Sequence, residues 1–417
     1  MNAMSKYIPL LIGITIIFLI DIYAFQAIRH ATINLSSFAK RFITIAYWLV
    51  SVITMGSMLL FTFYSPFSFP QTIRIIWFGA FVIFYLPKLV LLPFLLLDDG
   101  GRLIRWVTSS LTQKETNIGG QPIKRSAFLL QSGLVLSGLL MGGLIYGVFK
   151  GGYNYTIRRI SLKLPHLPEA FNGLRIIQIS DIHSGSFTNT SPLKRAVEMI
   201  NAEQADLVFF TGDMVNNETT EVLPYKEILN KVNAKLGVYA ILGNHDYGDY
   251  HSWPDKEAKQ ANLQHLSDTY RVMGWRLLRN ENVLIGDEGK QLAIIGMENW
   301  GTRFQKYGDM NKSAAGSEMA AVRLLLSHDP SHWEEEVTDK FKNVDVTFSG
   351  HTHGAQMGIE IPGFIKWSPS QYLYKQWAGL YQKDNQYLYV NRGLGFLAYP
   401  GRLGISPEIT VLELLKG

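Results

Sequence analysis

The stretch Ile241-Leu242-Gly243-Asn244-His245-Asp246 joins a buried strand to a cluster of reactive side chains. Gly237–Leu242 is an apolar run of strand length. It stops at a glycine, and Asn244, His245 and Asp246 follow at once. Each of the three can bind a metal ion or move a proton, and none is good core material. Open α/β sheets place their ligands just outside the carboxyl ends of their strands, so this is where a site belongs. A plain strand-to-loop turn with solvated polar residues reads the same way in isolation. The stretch therefore takes its meaning from the rest of the chain.

Four other runs end alike. Leu174–Ser180 leads to Asp181-Ile182-His183, and Leu207–Phe210 to Thr211-Gly212-Asp213. Val322–Leu326 leads to Ser327-His328-Asp329, and Val344–Phe348 to Ser349-Gly350-His351-Thr352-His353. Of 10 histidines, His183, His245, His328, His351 and His353 fall in these motifs. Asp-x-His, Gly-Asp, Gly-Asn-His-Asp, a lone His and Gly-His-x-His, in that order, resemble the calcineurin-like metallophosphoesterase superfamily. The resemblance runs from Leu174 to the C-terminus.

Phosphoester hydrolysis is slow and its substrate is anionic. A pair of metal ions about 3.5–4 Å apart binds the ester, supplies a nucleophile at neutral pH and neutralises the developing charge. Carboxylate, imidazole and amide ligands suit Mn, Fe or Zn, and a chain with Cys 0 offers no thiolate. The resemblance implies that Asp181, His183 and His353 hold the first ion. Asp213 would bridge both, and Asn244, His328 and His351 would hold the second. His245 would act over the phosphate as general acid or charge stabiliser, with Asp246 orienting it. The Asp-x-His and His-x-His spacings suit short extended loops, in which alternate residues point the same way. Gly212, Gly243 and Gly350 let the backbone turn tightly or approach closely at the strand ends. Every ligand position holds a competent residue type, which speaks for an enzyme over a binding-only domain.

Three further residues are candidates for substrate contact. His251 follows Asp246 in a loop that could border the site, and Arg392 and Arg402 could approach a phosphate. Gly354-Ala355-Gln356 and Asn391-Arg392-Gly393-Leu394-Gly395 resemble a branch with membrane-attached bacterial phosphodiesterases and the transmembrane protein with a metallophosphoesterase domain. That branch usually carries Gly-Gly-Gln; here Ala355 replaces a glycine. The aromatics Phe364, Trp367, Tyr372, Tyr374, Trp377 and Tyr381, with Trp300 and Phe304, could wall the site, dock on a bilayer or simply pack under a long loop.

The N-terminal third differs in kind. Up to Leu97 the charged residues are Lys6, Asp21, Arg29, Lys40, Arg41, Arg74 and Lys88 alone. Tyr7–Ile28, Phe42–Tyr64, Ile75–Leu97 and Ala127–Phe149 each approach or exceed the roughly 20 residues that a helix needs to span a bilayer. No small-residue cleavage site follows the first, and three more come after it, so it reads as an anchor and not a signal peptide. Charges within spans are costly; Asp21 and Lys88 are expected to pair or to reach an interface. Gly138 with Gly142, and Gly143 with Gly147, have the spacing that lets helices approach closely. The loops after the first and third spans carry Arg29, Lys40, Arg41, Arg102, Arg105, Lys114, Lys124 and Arg125, against Lys6, Arg74, Lys150, Arg158, Arg159 and Lys163 on the other side. The bias orients both ends away from the cytoplasm, and Lys124-Arg125-Ser126-Ala127-Phe128-Leu129 faintly resembles a twin-arginine export signal.

The expected organisation is an N-terminal four-helix transmembrane region over residues 1–150, a connector over 151–172 and an α/β phosphoesterase domain over 173–417. Arg158–Leu164 alternates like an edge strand. Helices are expected at Ser191–Asn201, Thr220–Val232 and Lys256–Met273. Strands are expected at Trp275–Leu278, Val283–Ile285, Gln291–Ile295, Tyr387–Val390 and Ile409–Leu415. The resemblance implies a four-layer α-β-β-α sandwich. The net charge of +5 has no basic run, so it gives no reason to expect nucleic acid. The function expected is hydrolysis of a phosphodiester or pyrophosphate bond in a lipid or lipid-linked nucleotide. Superfamily relatives cleave UDP-diacylglucosamine, a cytoplasmic step that conflicts with the orientation inferred from the loops. The alternatives are a broad phosphomonoesterase at the cell surface, or a membrane sensor that only binds.

Overall fold

The computed structural model describes residues 3–64, 69–111, 126–361 and 363–417. Lys114, Lys124 and Arg125, on which the orientation reading leans, lie outside them. The chain divides into two compact units, Met1–Tyr146 and Gly147–Gly417.

Among the described residues, four helices are long and apolar enough to cross a membrane. They are α1 (Ala3–Ala31), α2 (Ser37–Phe63), α3 (Gln71–Leu111) and α4 (Ala127–Phe149). α3 runs past the apolar stretch that ends at Leu97, because a helix needs backbone hydrogen bonds and not apolar side chains to continue. Arg102 Nη1 meets Asp99 Oδ1 at 3.0 Å across that extension. Pro87 and Pro93 lie inside α3, as proline does in spanning helices whose neighbours compensate. Asp21 and Lys88 form a buried ion pair. Tyr85 donates to Asp21 Oδ2 at 3.0 Å, and the Lys88 ammonium lies 4.2 Å from the Tyr85 ring centre. The glycine spacing at Gly138 and Gly142 does not make a close contact: a Cβ there would meet no described atom within 4 Å. Close approaches occur at Gly133, where a Cβ would lie 3.0 Å from Leu91 and Phe94, and at Gly13, where it would lie 2.8 Å from Met58.

The second unit is built on two six-stranded sheets. The first contains β1 (Thr156–Leu164), β2 (Leu174–Ile179), β3 (Leu207–Phe210), β4 (Val238–Ala240), β5 (Arg276–Leu277) and β14 (Glu408–Lys416), in the order β1-β14-β2-β3-β4-β5. The second contains β6 (Glu281–Ile285), β7 (Leu292–Gly296), β8 (Val322–Leu326), β9 (Val346–Ser349), β12 (Gly379–Lys383) and β13 (Gln386–Val390), in the order β12-β13-β9-β8-β7-β6. A separate hairpin pairs β10 (Ile359–Ile361) with β11 (Ile365–Trp367). β2, β3 and β4 are mutually parallel, as are β7, β8, β9 and β13.

Strand alternation sets the layers. Ile176, Phe209, Leu324, Phe348 and Leu412 meet in one core between the sheets. Ile177, Val208 and Phe210 point the other way, onto α5 (Ser191–Ala202) and α7 (Lys256–Val272). Ala293, Ile295 and Leu325 face Trp333, Val337 and α8 (Met310–Ala314) on the far side of the second sheet. This is the α-β-β-α sandwich. The helix expected over Thr220–Val232 is instead two 3-10 turns, Thr219–Glu221 and Leu223–Tyr225, followed by a single turn, α6 (Lys226–Leu229). Pro224 has no N–H to give a longer helix. α5 begins at Ser191, with no side-chain hydrogen bond from Thr190 before it; the Ser191 N–H is taken by Asn189 Oδ1 at 3.1 Å.

Candidate metal centre

The five motifs follow the carboxyl ends of β2, β3, β4, β8 and β9. Asp181, His183 and His353 offer ligand atoms within 4.8 Å of one another, and so do Asp213, His328 and His351. Asp213 Oδ2 faces both groups, 3.1 Å from His328 Nε2 and 3.5 Å from His183 Nε2. Asn244 Oδ1 lies 3.2 Å from His328 Nε2 and 2.9 Å from His351 Nδ1. All seven expected ligands are thus brought together.

The loops are not extended as the spacings suggested. Asp181, His183, Asp213, His351 and His353 all have left-handed backbone, with φ of 51°, 46°, 60°, 72° and 49°. Non-glycine residues rarely adopt it, and such strain gathers at functional sites. The strand ends also crowd together. A Cβ on Gly243 would lie 2.2 Å from Asp213 Oδ1, and one on Gly350 would lie 2.2 Å from Asp181 Oδ2.

The polar groups fit a bound cation. His183 Nδ1 lies 3.0 Å from Asn216 Oδ1, and His328 Nδ1 lies 2.7 Å from the Thr211 carbonyl. Both partners only accept, so each Nδ1 carries the proton and each Nε2 faces inward. At His183 that Nε2 presents a lone pair, whereas burial opposes charge on His328 but Asp213 outweighs it and pushes that imidazole up to about 10. The buried His183 Nε2 and His353 Nε2 have no hydrogen-bond partner. Asn244 donates its amide to Tyr250 at 2.8 Å, which turns its oxygen toward two imidazole nitrogens. Acceptors facing acceptors in a buried site are costly unless positive charge sits among them. Burial pushes the His183 imidazole down to about 3, so it is a neutral ligand at physiological pH. Burial also opposes charge on Asp213, but His328 and His245 outweigh it and hold the carboxyl well below its usual range.

His245 stands beside the ligands. Its N–H donates to Asp213 Oδ1 at 2.9 Å, and its ring centre is 4.9 Å from that of His183. Asp246 does not orient the ring. Its carboxylate accepts the backbone N–H groups of Gly243, Asp213, Met214 and Val215 at 2.8–3.2 Å, tying β3 to β4. The partner of His245 Nδ1 is the Asn216 carbonyl at 2.8 Å.

His183, Asp213, Asn244, His245, His351 and His353 share a cavity of about 340 Å³ with Tyr250, Phe304 and Leu397. The loop after Asp246 does border the site, but through Tyr250; His251 faces Glu218, 3.5 Å away, and Trp253. Arg392 is buried and bound to Glu408 and Glu360, with Nη2 2.6 Å from Glu360 Oε1. Arg402 is buried too, its Nε donating to the Gly395 carbonyl at 3.0 Å, and it packs behind His353. Both arginines are buried and turn their terminal nitrogens to partners inside the protein, which removes them as substrate contacts. Asn216 and Tyr374, whose hydroxyl is 2.8 Å from His351 Nε2, were not singled out as ligand partners. No residue spacing marks them; the nearest signal is the place of Tyr374 in the aromatic stretch.

A four-layer sandwich with two groups at its strand ends that could each hold a cation has the make-up of a metal-dependent phosphoric ester hydrolase. Residues 5–152 match the family model for the probable calcineurin-like phosphoesterase transmembrane domain, and residues 174–355 match that for the calcineurin-like phosphoesterase. The uncharacterized metallophosphoesterase YkuE of Bacillus subtilis is 30% identical over 282 residues, covering 63% of this chain and 90% of that one. The transmembrane protein with metallophosphoesterase domain of Danio rerio is 25% identical, covering 65% of this chain and 60% of that one. The UDP-2,3-diacylglucosamine pyrophosphatase LpxG of Chlamydia trachomatis is 29% identical, covering 57% and 83%. The chain belongs to the calcineurin-like metallophosphoesterase family and is a membrane protein of that family.

Proposed function

We propose that this protein hydrolyses a phosphodiester or pyrophosphate bond in a lipid or lipid-linked nucleotide, with two divalent ions of the Mn, Fe or Zn type. The observation that carries the reading is the convergence of both ligand groups on one open cavity, with Asp213 between them. Asp181, His183 and His353 would hold one ion and Asn244, His328 and His351 the other, with Asp213 placed to serve both. Such ions, when bound, acidify water and neutralise charge on a phosphoryl group.

The remaining work falls to the chain. The Asn216 carbonyl only accepts, so His245 keeps its proton on Nδ1. Its Nε2 is then the atom that gains and loses a proton. With Nε2 protonated, His245 donates to the leaving oxygen as it departs. Tyr250 and Phe304 line the approach and exclude water from part of it. The lipid character of the substrate rests on the membrane anchor and on the likeness to LpxG, whose name states a UDP-diacylglucosamine substrate.

The catalytic unit is proposed to lie outside the cytoplasm, from the loop charges. That placement and a cytoplasmic nucleotide-lipid substrate exclude one another, and a reporter fused to the C-terminus separates them. The reaction is tested with the full chain, Mn²⁺, a chromogenic diester and the matching monoester. Diester turnover should exceed monoester turnover. Asp213→Asn should lose on the order of a thousandfold in turnover, together with bound metal. Retained turnover in that variant removes the assignment, and monoester preference favours the phosphomonoesterase.

A further inference from the structure

The hairpin of β10 and β11 is inside out. Its register pairs Ile359 with Trp367, Glu360 with Lys366 and Ile361 with Ile365. One face therefore carries Ile359, Ile361, Ile365 and Trp367, and the other Glu360 and Lys366. In a hairpin on a soluble protein the charged face meets water and the apolar face meets the core. Here Glu360 faces inward, to Arg158 at 2.7 Å and Arg392 at 2.6 Å. Lys366 is itself exposed, but its ammonium turns inward, donating to the Ala378 carbonyl and lying 5.1 Å from the ring centres of Trp377 and Tyr381. The apolar face is left in the open. Ile359 and Ile361 are 49% and 51% exposed, and Phe364 at the turn is 85% exposed. Tyr372 and Leu373 extend the patch at 74% and 58%.

We propose that this hairpin is a bilayer-docking element of the catalytic unit. Contiguous exposed apolar side chains mark a surface meant for an apolar partner, and two observations favour a lipid surface over a protein. The first is the order of residues along the hairpin. Phe364 stands at the tip with Ile361 and Ile365 behind it, while Trp367 is at the base and donates its indole N–H to Tyr372 at 3.3 Å. Aliphatic and Phe side chains outermost, with Trp and Tyr behind, is the depth order of hydrocarbon and headgroup layers. The second is that the same chain carries four spans, and only Lys150–Tyr155 separates α4 from β1. A membrane is thus always at hand.

The hairpin also leads to the metal centre. Trp367 meets Tyr372, and two residues on Tyr374 meets His351. A docked hairpin therefore sets that edge of the cavity against the lipid headgroups, where diesters of membrane lipids lie. This last consequence rests on the proposed function; the docking itself does not.

The chain has no cysteine, so Phe364→Cys takes a single nitroxide label. The full-length protein is reconstituted in phosphatidylcholine–phosphatidylglycerol vesicles, with Gln260→Cys on α7 as the solvent-facing control. The label at 364 should be reached by oxygen in preference to a water-soluble nickel chelate, and the label at 260 the reverse. Equal access of nickel to both positions overturns the docking. So does spin–spin broadening at 364 that vanishes on dilution with unlabelled protein, since a second copy would then cover the hairpin. Separately, Ile361→Ser with Phe364→Ser should lower hydrolysis of a vesicle-embedded lipid diester about tenfold and leave a soluble chromogenic diester unaffected. Unchanged turnover of the embedded diester overturns the role in substrate access. If the wild type cleaves neither diester, the proposed function falls and the nitroxide result alone decides the docking.

Discussion

Asn216 is the residue through which the centre is held in register. Its side-chain oxygen meets His183 Nδ1 and its backbone oxygen meets His245 Nδ1, so one loop position sets the protonation of a ligand and of the proposed acid. Asn216→Ala removes only the first contact. Metal affinity, read by competition with a chelator, should fall about 10–100-fold; unchanged affinity would mean that His183 is oriented by something else. Glu221 lies behind this loop and accepts the Asn216 N–H. Burial pushes its carboxyl from the usual 4.5 up to about 7, against the pull of backbone donors. The folded state then keeps a proton that the unfolded chain has lost. The stability contribution of Glu221 is full below pH 4.5 and is lost as pH rises to about 7. Glu221→Gln does not titrate, so it should gain on the wild type by about 3 kcal/mol across that window. Thermal denaturation of the full chain at both pH values checks this, and parallel curves would refute it.

At the level of elements, the strand ends were legible and the pieces between them less so. Each apolar run contains a strand because its side chains fill cores on both faces, and each strand ends one to three residues short of a metal-capable side chain. The Thr220–Val232 stretch misled because its helical spacing of apolar residues survives in consecutive 3-10 turns. The β10–β11 hairpin escaped notice because its apolar residues read as aromatic-rich loop, and its charges meet their partners, Arg158, Arg392 and the Ala378 carbonyl, only in three dimensions. Arg392 makes the same point. It joins β13 to β14 through Glu408 and to the hairpin through Glu360. Arg392→Gln leaves buried Glu408 with only the more distant Arg158, 3.6 Å away, as a cationic partner and should destabilise the catalytic unit by about 3 kcal/mol. Denaturation of the variant measures it. A loss of activity at undiminished stability would instead restore Arg392 as a substrate contact.

At the scale of the whole molecule, a membrane unit and a catalytic unit follow one another, each with its own buried charges. In the membrane unit the pair is Asp21 with Lys88. Lys88→Met alone strands a carboxylate among apolar helices and should cost about 2.5–3.5 kcal/mol. Adding Asp21→Asn should restore most of that loss, as thermal denaturation in detergent would show. Full stability of the single variant would mean that the pair contributes nothing to the packing of the four helices, and would turn attention to a role in transport or sensing.

The chain's order of motifs determined the family and named the candidate ligands, and its apolar runs marked the membrane anchor. All three depend on residue type and on spacing along the chain, which the sequence carries directly. The tertiary structure alone decided which side chains serve the site from outside the motifs. It took Arg392 and Arg402 away from the substrate and Asp246 away from the His245 ring, and gave them carboxylates, carbonyls and backbone N–H groups as partners. It brought Asn216, Tyr250 and Tyr374 to the ligands and put five ligand positions into left-handed backbone. It also turned the charged face of the hairpin inward. The physical reason is common to all of these. A hydrogen bond or ion pair between residues far apart in sequence is chosen by which groups the packed sheets leave within reach, and that is set by the fold as a whole.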